Sequence, residues 1–325
     1  MRAPTAPVGS LRFARAYVVT MRPYLLFVSG AAGLVGLSFA SESSLGRTVL
    51  AFAALFLSYG LGQALTDCFQ TDTDSISAPY RPLVRGTISR RQVLVVSLVS
   101  LTLVVLVLAY LDARILALGA LAVVGLLTYT FFKRTWWGGP PWNSWIVALI
   151  PIMGRLVDHS WSPVALVRSG CPTERAFLLA VLAVFFGYAN FVVMGYFKDI
   201  SADRATGYRT FPVVFGWRAA AVYGDVTAAL AAGLAARTLL LLGASIPSLA
   251  VLAAAVVLYA HAQVSMHRIR DERATGAPIA NGVRGLVLFC VSIVMANHLA
   301  WTPALAVFYL LFELALRLRP ERGQV

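Results

Sequence analysis

Four side chains able to hold a cation crowd the end of a long apolar run. They are Asp67, Gln70, Asp72 and Asp74, within TDCFQTDTDSISAPYRPLVRG at residues 66–86. Arg81 and Arg85 follow in the same stretch. A second acidic pair, Asp199 and Asp203, ends another apolar run, with Lys198 just before it and Arg204 and Arg209 just after. Carboxylates this close repel one another unless a cation lies between them. A hard divalent ion is the natural choice, and Mg2+ typically takes one or two carboxylates together with substrate phosphates. Arginine and lysine grip phosphate oxygens. Acids for a metal and bases for phosphate, twice over, point to a diphosphate ligand. The plainer reading is two helix-end charge clusters neutralised by neighbouring arginines.

The elements that position these groups are membrane helices. Of 325 residues, 59% are apolar and 13% charged, against about 25% charged in a soluble domain. Apolar runs recur near 24–40, 48–69, 92–110, 114–131, 143–157, 176–197, 218–242, 246–266 and 283–300, each of spanning length. Residues 302–317 form a tenth span or the end of a long ninth. The first run leads into further spans rather than a soluble domain, so it does not read as a cleaved signal. The expected fold is an all-α polytopic transmembrane bundle of about nine or ten spans in a single domain. A short N-terminal segment, 1–16, and a tail, 318–325, flank it.

The net charge of +13 would suggest nucleic acid in a soluble protein, but its distribution suggests a bilayer instead. Eighteen of the 27 basic residues fall in the N-terminal segment and the loops after spans two, four, six and eight. Six, including Arg168, fall in the opposite loops, and Arg317, Arg319 and Arg322 lie in the tail. The positive-inside rule therefore places the N-terminus and both acidic clusters in the cytoplasm, and the expected location is the bacterial cell membrane. Both lysines of the chain, Lys133 and Lys198, stand at span ends on that side. The three cysteines and four histidines have no metal-site spacing. DRATG at 203–207 nearly recurs as ERATG at 272–276, a hint of similar loops in two halves. Trp136, Trp137, Trp142 and Trp145 surround a short fifth span, either as an interfacial anchor or as cavity lining.

If span two continues as one helix, at about 100° per residue, Gln63, Thr66, Asp67, Gln70 and Asp74 share a sector of roughly 100° and Asp72 points the other way. Asp199 and Asp203 lie one turn apart and project together. Ionisable groups at membrane depth usually mark function.

Around these clusters, four segments follow a family pattern. The motif N-x3-D-x3-D leading into P-x-RP-x3-G aligns with Thr66, Gln70 and Asp74, of which Asp74 alone matches by type, and then with Pro79-Tyr80-Arg81-Pro82 through Gly86, which matches well. D-x3-D followed by G-x-R-T-x-P-V-x-x-G is met in KDISADRATGYRTFPVVFG by Asp199, Asp203, Gly207, Arg209, Thr210, Pro212 and Gly216. Tyr129, Lys133 and Arg134 match Y-x3-K-R, and Arg22-Pro23 opens span one. In these segments the chain resembles the UbiA-type intramembrane prenyltransferase superfamily over most of its length. The first motif departs from it: Thr66 and Gln70 stand where the family has Asn and Asp, and Asp67 is the nearest replacement acid.

The resemblance implies a cavity open to lipid and capped by the cytoplasmic loops after spans two and six. Mg2+ would be held by Asp67, Gln70 and Asp74 on one side and by Asp199 and Asp203 on the other. Arg22, Arg81, Lys133, Lys198 and Arg209 would bind the diphosphate of an isoprenyl diphosphate, with Tyr129 donating a hydrogen bond. Ionisation leaves an allylic cation, which Phe69, Phe185, Phe186, Tyr188, Phe191 and Tyr196 can face with π clouds; packing is the plainer role for aromatics here. Thr66, Asn143 and Asn190 complete the expected cavity wall. A hydrophobic acceptor then captures the cation: an aromatic ring, a quinone precursor or a lipid hydroxyl. In a terpene cyclase of the same fold the substrate's own double bond does so, with no acceptor. A transporter would need acids near mid-bilayer, whereas these stand at helix ends.

Overall fold

The structure, a computed structural model, describes residues 5–40, 43–162, 164 and 170–319. Arg2, Arg168 and Arg322, used above to orient the chain, lie outside them, as does the tail after Arg319. The described residues form helices and no strand, as expected where lipid offers the backbone no hydrogen bonds. Eight helices are long and apolar enough to cross a membrane, or nine if one bent pair counts as a span.

That bent pair opens the chain. α1 (Leu11–Met21) and α2 (Pro23–Ser38) meet at 56°. The N-terminal segment expected over 1–16 is therefore already helical from Leu11. The hinge is Arg22, the one described non-glycine residue with positive φ, at +52°. Pro23 disfavours helical backbone in the residue before it, and Arg22 takes the strained left-handed region instead. α3 (Leu45–Asp67) runs down to the first acidic cluster and the short α4 (Thr71–Ser77) follows it. α5 (Arg90–Leu111), opened by a Ser89/Gln92 capping box, and α6 (Ile115–Lys133) lead to α7 (Gly139–Arg155), which lies where the short fifth span was expected but at 17 residues is not one of those eight.

The second half begins with α8 (Pro172–Tyr196) and the short α9 (Ile200–Ala205). α10 (Phe211–Leu241) breaks at Gly216, whose φ of +81° only glycine takes without strain. α11 (Ile246–Arg268), a 3-10 turn (Glu272–Thr275), α12 (Gly276–Asn297) and α13 (Thr302–Arg317) complete the chain.

α8 and α12 are the most enclosed spans, while α5, α6 and α13 show rows of exposed apolar residues such as Val99, Leu103, Leu121, Val124, Leu310 and Leu314. Those rows suit lipid. Without a hydrophobic drive between helices in lipid, close packing of small residues holds them together. A Cβ on Gly36 of α2 would lie 2.0 Å from the Pro151 carbonyl oxygen of α7, and one on Gly154 would lie 2.8 Å from that of Gly33. Only glycine lets α2 and α7 come this close.

Candidate active site

The ends of α3 and α8 that carry the acids break in the same way. Helix α3 stops at Asp67, and Gln70 (φ −122°, ψ 16°) caps α4; α8 stops at Tyr196, and Asp199 (φ −114°, ψ 6°) caps α9. The Asp74 amide donates to the Gln70 carbonyl at 2.9 Å, and the Asp203 amide to that of Asp199 at 2.7 Å. Gln70 and Asp74 therefore occupy the same places on α4 as Asp199 and Asp203 on α9. The continuous helix expected through residues 63–74 does not exist, and the common sector goes with it. Tertiary packing supplies the break: α4 and α9 lie against each other, with the Thr73 and Thr206 hydroxyls 3.1 Å apart. Together they cap a cavity.

Arg22, Gln70, Asp74, Arg81, Tyr129, Lys133, Tyr188, Tyr196, Lys198 and Asp199 all line that cavity, with Asn143 at its inner end. Asp203 sits behind it, fully buried; Thr210 donates to its Oδ2 at 3.1 Å and Lys133 Nζ lies 4.0 Å from its Oδ1. Burial pushes the Asp203 carboxyl up to about 7 despite Lys133. Burial likewise pushes the Lys198 ammonium down to about 8, and it raises Asp74 against the opposing pull of Arg81.

The first-motif acids are paired with side-chain donors. Arg22 Nη2 donates to both oxygens of Asp67, at 2.9 and 3.1 Å, and Gln63 Nε2 donates to Oδ1 at 2.7 Å. Arg81 pairs with Asp74 Oδ2 and lies 3.8 Å from Asp67. Lys133 donates to Gln70 Oε1 at 2.8 Å. Asp67, expected as the replacement ligand, thus accepts from Arg22 and Gln63. Arg22 and Arg81, expected on the diphosphate, hold acids while still facing the cavity. The second-motif acids differ, since Asp203 Oδ1 is buried with no hydrogen-bond partner and Asp199 faces the cavity.

Three expected residues stand apart. Asn190 turns away from the cavity into the α8–α10 interface, donating to the Gly224 carbonyl at 2.8 Å. Its position on α8 faces a helix that sequence spacing alone could not place. Arg209 is exposed, with its backbone amide on the Arg134 carbonyl at 3.0 Å. Thr66 folds back on the Gln63 carbonyl at 3.0 Å and faces an apolar chamber rather than the charged groups. Of the aromatics, Tyr188, Phe191 and Tyr196 line the cavity, whereas Phe69 lies under the Arg90 guanidinium. Asp72 points outward to Arg134 and Tyr208, at 3.0 and 3.2 Å.

Sequence reasoning missed Tyr59. Its hydroxyl lies 2.5 Å from that of Tyr188, which in turn accepts from Asn143 Nδ2 at 3.3 Å. Tyr59, Gln63, Asn143 and Tyr188 border both the charged cavity and an apolar chamber between α3, α5, α6 and α7. Its spacing, one turn before Gln63 and two before Thr66, was the available signal, but a tyrosine at that spacing reads equally as core.

The profile of the UbiA prenyltransferase family matches residues 26–282. The digeranylgeranylglyceryl phosphate synthase of Halobacterium salinarum is 31% identical over 205 residues, covering 62% of this chain and 70% of that protein. The synthase of the same name from Pyrococcus abyssi is 25% identical over 218 residues, 65% of this chain and 73% of the relative. Among solved structures, an apo UbiA homolog from Aeropyrum pernix superposes with a TM-score of 0.69 at 20% identity, over 83% of this chain and 96% of that one. One from Archaeoglobus fulgidus, bound to DMAPP and Mg2+, gives 0.61 at 17% identity, over 85% and 98%. The fold is therefore shared with UbiA homologs, and by its matched sequence this chain belongs to the UbiA prenyltransferase family, as a multi-pass membrane enzyme of prenyl transfer.

Proposed function

We propose that the chain moves an isoprenyl group from an isoprenyl diphosphate to a hydroxyl of a lipid glyceryl phosphate, with Mg2+ as cofactor. The observation that carries this reading is the shared wall of Tyr59, Gln63, Asn143 and Tyr188. A cationic cavity on one side and an apolar chamber on the other suit one molecule with a diphosphate head and a hydrocarbon tail. The similarity to two archaeal synthases whose names specify a glyceryl phosphate product favours a lipid acceptor over an aromatic one.

Asp199 and Asp203 would hold the Mg2+. They fit it: one oxygen of Asp203 is buried without a partner and Asp199 faces the cavity. Two carboxylates leave the rest of the shell to phosphate and water, as this ion prefers. When bound, the ion neutralises charge on the diphosphate as it leaves. Lys133 and Lys198, with the cavity-facing arginines, add fixed positive charge to the same end, prearranged and shielded from water. The bond that breaks joins C1 of the prenyl chain to its diphosphate oxygen, which keeps the electron pair. The bond that forms joins C1 to the acceptor oxygen, and the acceptor's proton passes to the released diphosphate. The rings of Tyr188, Phe191 and Tyr196 face the developing cation.

Under this reading the N-terminus and the capping helices lie in the cytoplasm, which the basic loops support. The relatives are archaeal, so the membrane proposed is a prokaryotic cell membrane rather than a bacterial one in particular.

The test supplies purified protein with Mg2+ and labelled prenyl diphosphates of several lengths. Acceptors are a geranylgeranylated glyceryl phosphate, an aromatic acid, or none. Label on the glyceryl phosphate is expected. Label on the aromatic acid alone overturns the acceptor, and a cyclic hydrocarbon without acceptor identifies a terpene cyclase. Full turnover by Asp199→Ala and Asp203→Ala would remove the metal assignment.

A further inference from the structure

The two capping helices match in backbone but not in charge. We infer that this chain works with a single divalent ion, on the Asp199/Asp203 side, and that its own cations replace a second ion on the Asp67/Gln70/Asp74 side. The inference rests on the diphosphate reading above.

On α4 the place equivalent to Asp199 is taken by Gln70, a neutral group whose oxygen already accepts from Lys133 Nζ at 2.8 Å. A divalent ion on that oxygen would meet the ammonium head-on. The place equivalent to Asp203 is Asp74, which is ion-paired to Arg81. Asp72 points outward to Arg134 and Tyr208, and Asp67 has Oδ1 engaged by Arg22 and Gln63 and Oδ2 by Arg22. Two carboxylates here face two guanidiniums, all four largely buried. A divalent ion here would compete with both arginines for their acids.

The opposite side is built differently. Asp199 and Asp203 keep both acids of the pair, and one Asp203 oxygen has no hydrogen-bond partner although the residue is fully buried. The nearest cation to Asp203, Lys133, stands 4.0 Å off and is shared with Gln70. Gln70 thus aims Lys133 into the gap between the two capping helices, where an aspartate at 70 would instead hold it as an ion pair. No three His, Cys, Asp or Glu side chains converge among the described residues, so oxygens of diphosphate and water would complete the shell of an ion bound here.

Counting bound Mn2+ by electron paramagnetic resonance, in detergent-purified protein equilibrated with Mn2+ and inorganic pyrophosphate, tests this without reference to turnover. The expected result is one Mn2+ per chain with no Mn–Mn coupling in the wild type. In Gln70→Asp, two coupled ions are expected. Two coupled ions in the wild type overturn the inference while leaving the diphosphate reading intact. One ion in both proteins overturns the role given to Gln70. No bound ion in the wild type overturns the inference and the Mg2+-dependent reading together.

Discussion

Removing the Asp67 carboxylate leaves the largely buried Arg22 without its ion-pair partner. Breaking such a buried pair costs about 3–5 kcal/mol. Asp67→Ala is therefore expected to lose stability by about that amount in a denaturation experiment, with its Mn2+ count still at one. A normal stability with a lost ion would return Asp67 to the metal. Asp203 carries the opposite strain. Its folded-state pKa of about 7 lies above the ordinary 3.8, so its contribution to stability is full below about pH 4 and is lost as pH rises towards 7. In EDTA at pH 8, wild type is expected to melt below Asp203→Asn by at least about 2 °C. At pH 4 the gap should close, and at pH 8 Mg2+ should narrow it. A wild type that melts above Asp203→Asn at pH 8 in EDTA would show that burial does not strain this carboxylate. Both acids were visible in the sequence because charge is conspicuous at the end of an apolar run. Their opposite conditions were not, since neither Arg22 nor Gln63 announces which acid it will reach.

Nothing in Cys68-Phe69-Gln70 signals a helix break by composition, with no glycine or proline in it. The break follows from the packing of α4 on α9, a contact between residues more than a hundred positions apart. The spans themselves were legible because apolar length is a local property, and Gly216 explains why the seventh begins only after it. The ERATG echo acquires a different meaning from that of a repeated loop. The Glu272 carboxylate accepts from the Ser201 amide at 3.0 and 3.2 Å and from its hydroxyl at 2.5 Å. It thereby caps α9 from outside, as an acidic N-cap would, and such caps contribute about 0.5–2 kcal/mol. Glu272→Ala is expected to speed amide exchange in α9 by roughly tenfold, and Glu272→Gln by less. The apparent Mg2+ affinity should weaken in the same order. Unchanged exchange in both variants would reduce this contact to a surface pair.

The apolar chamber is a property of the whole bundle, since α3, α5, α6 and α7 each give it one wall. It starts at Gln63 and Asn143 beside the charged cavity and runs as far as Leu55 on α3, Leu108 on α5 and Met153 on α7. From Asn143 to Met153 is ten residues, about 15 Å of helix. Met153 and Leu108 are buried at that far end, where a hydrocarbon tail lying in the chamber would finish. A larger side chain there cannot touch the diphosphate or the acids, but it shortens the space for the tail. Overpacking a closed wall costs about 1–3 kcal/mol, which for a bound ligand is lost only if the tail reaches it. Met153→Trp is accordingly expected to lower kcat/KM for a twenty-carbon prenyl diphosphate by at least about tenfold, since about 1.4 kcal/mol is a factor of ten. Turnover of a ten-carbon diphosphate should hardly change, because that tail ends short of the substitution. Competition between the two labelled substrates reads the ratio directly, without dependence on how much protein is active. An equal loss for both lengths would mean that the substitution disturbs the bundle rather than the tail, and an unchanged ratio would place the tail outside this chamber.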